Sequence, residues 1–364
     1  MQANSGKRVL VAMSGGVDSS VSALVLHERG FEVEGVTLKL FDNDDAFIDN
    51  EKACCTVDDA EDARQVCLEI GVPHYVYNFT RSFNAEVIDR FCNAYLSART
   101  PNPCIDCNRY IKFEALQKRR RELGFDYVAT GHYVRRSYNE STGRYELKCG
   151  VDANKDQSYV LYHLDQETLE HMLFPLGEFS KPEVRKLAED HSFINAKKAE
   201  SQDICFVPDG DDATFIEQRT GISFEPGDIV DRSGKKLGTH NGLVHYTIGQ
   251  RKGIGVAAPE PLYVYEKDQS QNRLVVDTDA NTLCTVVEVE DVNFVAWPEI
   301  PEPMPFTVKT HYRQRPCNAT VEQTAEDKIR ITLETPQRNC APGQSAVVYN
   351  GDTVICGGTI AKSQ

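Results

Sequence analysis

The sequence predicts an α/β protein in three parts: an N-terminal domain on a parallel sheet, a small mixed central domain and a C-terminal β-barrel. Three observations carry this. Strand and helix patterns alternate through the N-terminal half, a glycine-rich turn joins the first strand to the first helix, and beyond residue 224 helical signals give way to turn-punctuated alternating runs.

Residues 7–13, with Val9, Leu10 and Val11, read as a short buried strand. Residues 19–29 place Val21, Leu24, Val25 and Leu26 on one helical face and stop at Gly30. A strand at 31–40, a helix at 57–70 closing on Gly71, a strand at 74–79 and a helix at 82–98 follow. A Pro-rich stretch at 100–107 then precedes a basic helix and a strand at 127–130. Strands that alternate with helices need crossovers, and crossovers make the sheet parallel. A further helix at 181–190 carries Pro182 in its first turn, where its missing N–H costs nothing. Pro226-Gly227-Asp228, Ser233-Gly234-Lys235 and Asn241-Gly242 punctuate the central region. Alternating runs at 285–289, 306–312, 329–333 and 345–349 predict a small barrel or sandwich. The expected domains are 1–210, 211–280 and 281–364.

The 364 residues exceed what one core usually serves. No stretch approaches the ~20 apolar residues of a membrane span, and the N-terminus lacks signal or transit character, so no membrane partner and a cytoplasmic location are expected. Twelve cysteines fit buried hydrophobes plus a few chemical thiols rather than a disulfide scaffold. A net charge of −15 argues against a non-specific nucleic-acid binder, but the charge is uneven. Residues 42–62 are acidic, whereas 108–121 carry Arg109, Lys112, Lys118, Arg119, Arg120 and Arg121 against Glu114 alone. Cys54 and Cys55 lie in the acidic stretch and are assigned no role.

Ser14-Gly15-Gly16-Val17-Asp18-Ser19-Ser20 sits between the first strand and first helix. Glycines there admit an anion to the backbone, and the helix N-terminus adds free N–H groups and partial positive charge. Ser19 and Ser20 offer hydroxyls, and Asp18 offers a carboxylate to Mg²⁺ on the phosphates. No Gly-Lys-Ser/Thr follows, which excludes a Walker loop and suggests a grip on pyrophosphate. The string resembles the pyrophosphate loop of the ATP-pyrophosphatase superfamily (adenine nucleotide alpha hydrolase-like). That resemblance implies ATP cleavage to AMP and pyrophosphate, with adenylation of a carbonyl oxygen.

Cys104-Ile105-Asp106-Cys107 stands just ahead of the basic helix. A thiol at a helix N-terminus among cations is expected to have a depressed pKa, as nucleophile or ligand. The pair alone also suits half of a zinc site. Cys205 follows the basic pair Lys197-Lys198, and by itself reads as a buried structural residue.

Taken together, the chain is similar to the bacterial tRNA-specific 2-thiouridylase family nearly end to end. The matching strings are 12–20, 98–103, Cys107-Asn108 with 111–113, 129–133, 155–159, 204–206, 247–253 and 342–346. The resemblance implies Cys107 as nucleophile and Cys205 as persulfide carrier, with a Cys107–Cys205 disulfide after sulfur release. It implies an ATP site at Ala12, Met13, Ser14, Gly15, Gly16, Val17, Asp18, Ser19, Leu38 and Gly131. It puts Asn102, Pro103 and Cys104 at the target base. His132, Lys155, Asp156, Gln157, His311, Tyr312 and Gln344 fall at tRNA contacts.

The implied partners are tRNAs for Lys, Glu and Gln and a persulfide-donating relay protein. The implied reaction is ATP-dependent adenylation of C2 of the wobble uridine followed by sulfur transfer, giving 2-thiouridine, AMP and pyrophosphate. Two departures stand out. Cys104 replaces a common Asp, and His311-Tyr312 replaces a common Arg-Tyr, with Arg313 and Arg315 available to supply the charge. If the two catalytic cysteines meet, Cys104, Cys107 and Cys205 converge, a set that also suits a [4Fe–4S] cluster carrying hydrosulfide. The different-class alternative is a small-molecule synthetase or amidotransferase of the same superfamily.

Overall fold

The computed structural model describes residues 6–41, 57–199, 204–207, 210–278, 283–338 and 340–364. Cys54, Cys55 and much of the acidic stretch lie outside the described residues.

Strands β1 (Arg8–Ala12), β2 (Glu32–Lys39), β3 (His74–Asn78), β4 (Tyr127–Ala129) and β7 (Met172–Leu173) form one parallel sheet in the order β3-β2-β1-β4-β7. β1 reads as an unbroken apolar run because both of its faces are covered. Leu10 packs into one core with Val36, Leu38 and Val128, while Val9 and Val11 pack into another with Val33 and Ala129. The order runs outward from β1 through β2 and β3, then resumes on its other side with β4. β1 therefore ends at a topological switch point, where such sheets hold ligands.

Helices α1 (Val17–Glu28) and α2 (Val57–Ile70) cover one face. α3 (residues 80–96) and α4 (residues 103–123) pack on the other. Both α3 and α4 widen into π-helical turns, over Asn84–Ile88 and Cys107–Ala115, a feature common at functional sites. After α5 (Gln166–Glu170), α6 (Lys181–Asp190) returns against α1.

The central domain begins with α7 (Asp212–Thr220). Its sheet holds β8 (Gly227–Val230), β9 (Lys236–His240), β10 (Leu262–Asp268) and β11 (Arg273–Thr278) in the order β10-β11-β8-β9, over a core of its own around Ile229, Val264 and Leu274.

β12 (Cys284–Phe294), β13 (Met304–Lys309), β14 (Cys317–Ala325), β15 (Lys328–Gln337), β16 (Ser345–Asn350) and β17 (Thr353–Ser363) pair in the order β12-β15-β14-β13-β16-β17, and β12 pairs again with β17. That second pairing closes the sheet into a six-stranded barrel and removes its edges. A hairpin that falls between β4 and β7 in the chain, β5 (Val134–Asn139) and β6 (Arg144–Cys149), extends the barrel sheet from β17 through the Thr353–Lys148 pairing. The first and last domains thus share a sheet, which no local sequence pattern announced. Tyr159 Oη donates to Ser345 O (2.8 Å) and Asn293 Nδ2 donates to Tyr162 O (2.7 Å), further tying them together. No helix among the described residues is long and apolar enough to cross a membrane.

Candidate active site

The phosphate loop is shaped by its own hydrogen bonds. Ser19 Oγ donates to Gly16 O (3.0 Å) and accepts from Ser14 N (3.2 Å), while Ser20 Oγ also donates to Gly16 O (3.1 Å). Ser19 and Ser20 are buried and their hydroxyls are spent on setting the turn, whereas Ser14 is the exposed serine. Asn195 braces the turn by donating to Gly15 O and Ser20 Oγ (2.9 Å each). Gly15 adopts φ +71°, and a Cβ there would collide with the Asp59 backbone. At Gly131, just past β4, a Cβ would lie 3.0 Å from both Asp18 C and Ser19 N, so only glycine lets that strand end approach the loop.

Asp18 departs from its expected role. Lys181 Nζ donates to both of its carboxylate oxygens (2.7 and 2.8 Å), and Tyr133 Oη donates to Oδ1 (2.6 Å). Lys198 Nζ likewise donates to Asp59 and Asp62 (2.6 Å each). The carboxylates around the loop are thus committed to lysines. As paired, they do not form a ready Mg²⁺ site. Lys181 and Asn195 were not singled out from the sequence, Lys198 stood out only as one of a basic pair ahead of Cys205, and Tyr133 only within a matching string. Lys181 is 163 residues from Asp18, and a lysine in a helical first turn gives no sign of folding back on a distant loop.

Two adjoining cavities open here. The smaller, about 210 Å³, is lined by Ala12, Met13, Ser14, Asp18, Ser19, Leu38 and Gly131 together with Thr130 and His132. The larger, about 400 Å³, is lined by Ser14, Gly16, Val17 and Asp18 on one side and Pro103, Cys104, Cys107 and Cys205 on the other. Lys112 and Gln157 line both. All the expected nucleotide residues except Gly15 therefore line adjoining spaces with the expected thiols, the two sets drawn from chain segments far apart.

The Cys-x-x-Cys segment is not a loop ahead of a helix but the start of α4. Asn102 caps it, with Cys104 N donating to Asn102 Oδ1 (3.2 Å), and Pro103 takes the first position. Cys107 sits inside the helix at the first π-helical turn, 8% exposed and a free thiol. Burial pushes its pKa up to about 11 despite the nearby Lys112, the reverse of the expected depression. Desolvation outweighs the helix end and Lys112 because most of the arginines of α4 are turned to exposed partners. Arg109 pairs with Glu114 (3.7 Å), Arg119 with Glu122 (2.8 Å) and Arg121 with Glu167 (2.8 Å). Asp106, between the thiols, is raised to about 6 by burial, opposed by Arg90 and Arg109.

Cys205 is half-buried beside Phe206, which packs edge-on against Phe83 (5.8 Å) and Phe91 (5.3 Å). Cys104 is exposed. The three thiols share one cavity wall, but among the described residues no group of three or more His, Cys, Asp or Glu side chains has metal-holding geometry. As arranged they do not fit the ligand set of a cluster.

The remaining expected contacts are spread around the mouth. His132 is 7% exposed, its Nδ1 2.8 Å from Thr130 Oγ1, and burial holds its pKa well below the usual histidine value. It walls the smaller cavity beside Thr130 and Gly131. Asp156 spends its carboxylate on Gly150 N and Ser158, Gln157 Oε1 accepts from Tyr133 N (3.0 Å), and Lys155 N donates to Asp152 O (2.9 Å). Tyr312 is exposed, its ring 5.9 Å from Tyr159, with Lys309 near both rings, and His311 beside it is half-buried. Gln344 Nε2 donates to Thr100 O (2.8 Å), and Thr100 N donates to Pro342 O (3.0 Å), so the barrel clamps the segment leading into Cys104.

A parallel sheet with a self-braced anion loop at its switch point defines a nucleotide-binding α/β enzyme domain carrying a row of thiols. A family model described as a tRNA methyl transferase HUP domain matches residues 7–209, a tRNA methyl transferase PRC-barrel domain matches 213–278, and an aminomethyltransferase β-barrel domain matches 285–360. The tRNA-specific 2-thiouridylase MnmA of Carboxydothermus hydrogenoformans is 47% identical over 98% of both chains. Its counterpart from Clostridioides difficile is 44% identical over 98% of this chain and 99% of the relative. The chain belongs to the tRNA-specific 2-thiouridylase family. Among solved structures, a 4-thiouridine synthetase–RNA complex with bound ATP is similar at 18% identity and a TM-score of 0.39, over 59% of this chain and 54% of that one.

Proposed function

We propose that the protein makes 2-thiouridine in tRNA by adenylating the C2 oxygen of the wobble uridine and replacing it with sulfur carried on Cys205. The observation that carries this is the adjoining pair of cavities, with the phosphate loop at one end and Cys104, Cys107 and Cys205 at the other. The word methyl transferase in the family descriptions fits the site less well, because methyl transfer has no use for a pyrophosphate cradle.

The C2 carbonyl is amide-like, so its oxygen is a poor leaving group until it attacks the α-phosphorus of ATP and expels pyrophosphate. The loop N–H groups and the N-terminus of α1 stabilise the charge that develops. A relay protein loads Cys205 as a persulfide, whose terminal sulfur attacks C2 and expels AMP. The Cys107 thiolate then attacks Cys205 Sγ and breaks the S–S bond. The outer sulfur stays on C2, and the two cysteines are left as a disulfide for a dithiol reductant to reset. The wobble base is unpaired, so extruding it costs only a few kcal/mol. The shared sheet and the Gln344 clamp favour a role for the barrel in holding the tRNA over the cavity, with Tyr312, Arg313 and Arg315 exposed beside it.

Incubation with ATP, unmodified tRNA and a persulfide donor is expected to yield 2-thiouridine with matching AMP and pyrophosphate, read by nucleoside chromatography. No 2-thiouridine, with ATP–pyrophosphate exchange driven by an amino acid or a xanthine nucleotide instead of tRNA, would favour the small-molecule synthetase.

A further inference from the structure

Three lysines, Lys112, Lys181 and Lys198, line the larger cavity. Two are spent on carboxylates: Lys181 on Asp18, Lys198 on Asp59 and Asp62. Lys112 has no ion pair with any described carboxylate, although it is half-buried. It also lines the smaller cavity, and its charge bears on Cys107 on one side and His132 on the other. Neither neighbour can neutralise it, since the thiol and the imidazole are both buried and held in their uncharged forms. A cation on the wall of both cavities without a protein counter-ion is free to pair with an arriving phosphate. The loop itself carries no lysine of the Walker type.

We propose that Lys112 is a catalytic residue of the adenylation step, contacting the α-phosphoryl oxygens of ATP at the junction of the nucleotide and cysteine cavities. This rests on the functional reading above. In that step a lone pair of the substrate carbonyl oxygen forms a bond to the α-phosphorus. The bond from that phosphorus to the bridging oxygen breaks, and its electron pair leaves with pyrophosphate. Negative charge grows on the leaving oxygen and is redistributed over the α-phosphoryl oxygens, while positive charge grows on the uracil ring. An ammonium held at that phosphoryl group is worth more in the transition state than in the ground state, provided its charge is not already cancelled. Of the three lysines, Lys112 best meets that condition. Its place on the wall shared with Cys107 keeps the cation beside the adenylate when sulfur attacks and AMP, again an anion, departs.

The test uses the full chain with ATP and unmodified tRNA, comparing wild type, Lys112→Gln and Lys112→Arg. Maximal tRNA-dependent ATP–pyrophosphate exchange is measured beside ATP affinity by equilibrium dialysis and thermal melting. Lys112→Gln is expected to lower maximal exchange ~10²–10³-fold, with ATP affinity within about threefold. Lys112→Arg is expected to keep exchange within about tenfold of wild type, since it restores the charge with altered reach. A folded Lys112→Gln protein exchanging within about threefold of wild type would overturn the proposal. So would a loss of exchange accounted for entirely by weaker ATP binding, or a folded Lys112→Arg protein as inactive as Lys112→Gln. Should the glutamine variant melt early, the folded arginine variant decides the matter. Absence of tRNA-dependent exchange in wild type would remove the functional reading itself, whereas a defect or its lack confined to the variants bears on Lys112 alone.

Discussion

The phosphate loop and the cysteine wall face the same space but are built on opposite plans. The loop comes from one continuous stretch, closes on its own serines, and has its acids matched to lysines before any substrate arrives. The wall draws its thiols from α4 and from the segment around Cys205, and desolvation keeps Cys107 protonated. On the proposed function, one end is preorganised for a polyanion and the other holds its nucleophile protonated. A thiol that ionised freely next to an adenylate would risk attacking it without carrying sulfur. On the proposed mechanism, a buried, protonated Cys107 would stay quiet until the Cys205 persulfide has reacted.

If the two ends perform separate steps, they come apart most sharply at the cysteines. Cys205→Ser and Cys107→Ser are each expected to lower 2-thiouridine formation by at least ~10³-fold while leaving tRNA-dependent ATP–pyrophosphate exchange within about threefold. Nucleoside chromatography and isotope exchange on the same preparations check this. Equal loss of both activities in either variant would mean that the thiols also build the adenylation site, and the comparison would fail.

Much of this was legible beforehand, for physical reasons that differ from place to place. The loop could be read because its glycines, its serines and the strand and helix around it are contiguous, so local sequence holds all the information. The parallel sheet followed from alternation, and the barrel from regularly spaced turns. The state of Cys107 could not be read. Its position suggested a helix end among cations, yet the thiol's pKa is set by how much water reaches it, a property of packing between α4 and its neighbours. The commitment of Asp18 to Lys181 and the β5–β6 hairpin's place in the barrel sheet are long-range facts of the same kind.

A second prediction sharpens the point about storage. With its pKa pushed up to about 11, Cys107 at pH 7.5 is expected to react with iodoacetamide on the order of 10²-fold more slowly than an unperturbed thiol. The raised value means the protonated form persists to higher pH, so the rate should climb about tenfold per pH step through pH 8, 9 and 10 and level off near 11. Peptide mass spectrometry of the Cys107 fragment reads it directly. Alkylation at the speed of a free thiol at neutral pH would show that water reaches the wall, and the two plans would no longer be opposite.

The smallest effect is expected where the barrel meets the cysteine end. Gln344 donates one hydrogen bond to Thr100 O, and that strand of chain runs into the Asn102 cap and Cys104. Gln344→Ala removes the donor but leaves the Thr100–Pro342 backbone bond, so the segment is loosened rather than released. A single neutral hydrogen bond contributes about 1 kcal/mol, which translates into a roughly fivefold weaker apparent tRNA affinity if the clamp orders the surface that the tRNA meets. The phosphate loop makes no use of this contact, so ATP affinity should stay unchanged. Steady-state titrations with tRNA and with ATP separate the two. Weakened ATP binding would show that strain at the barrel interface reaches the loop, while an unchanged response to both would make the clamp a purely structural tie between the first and last domains.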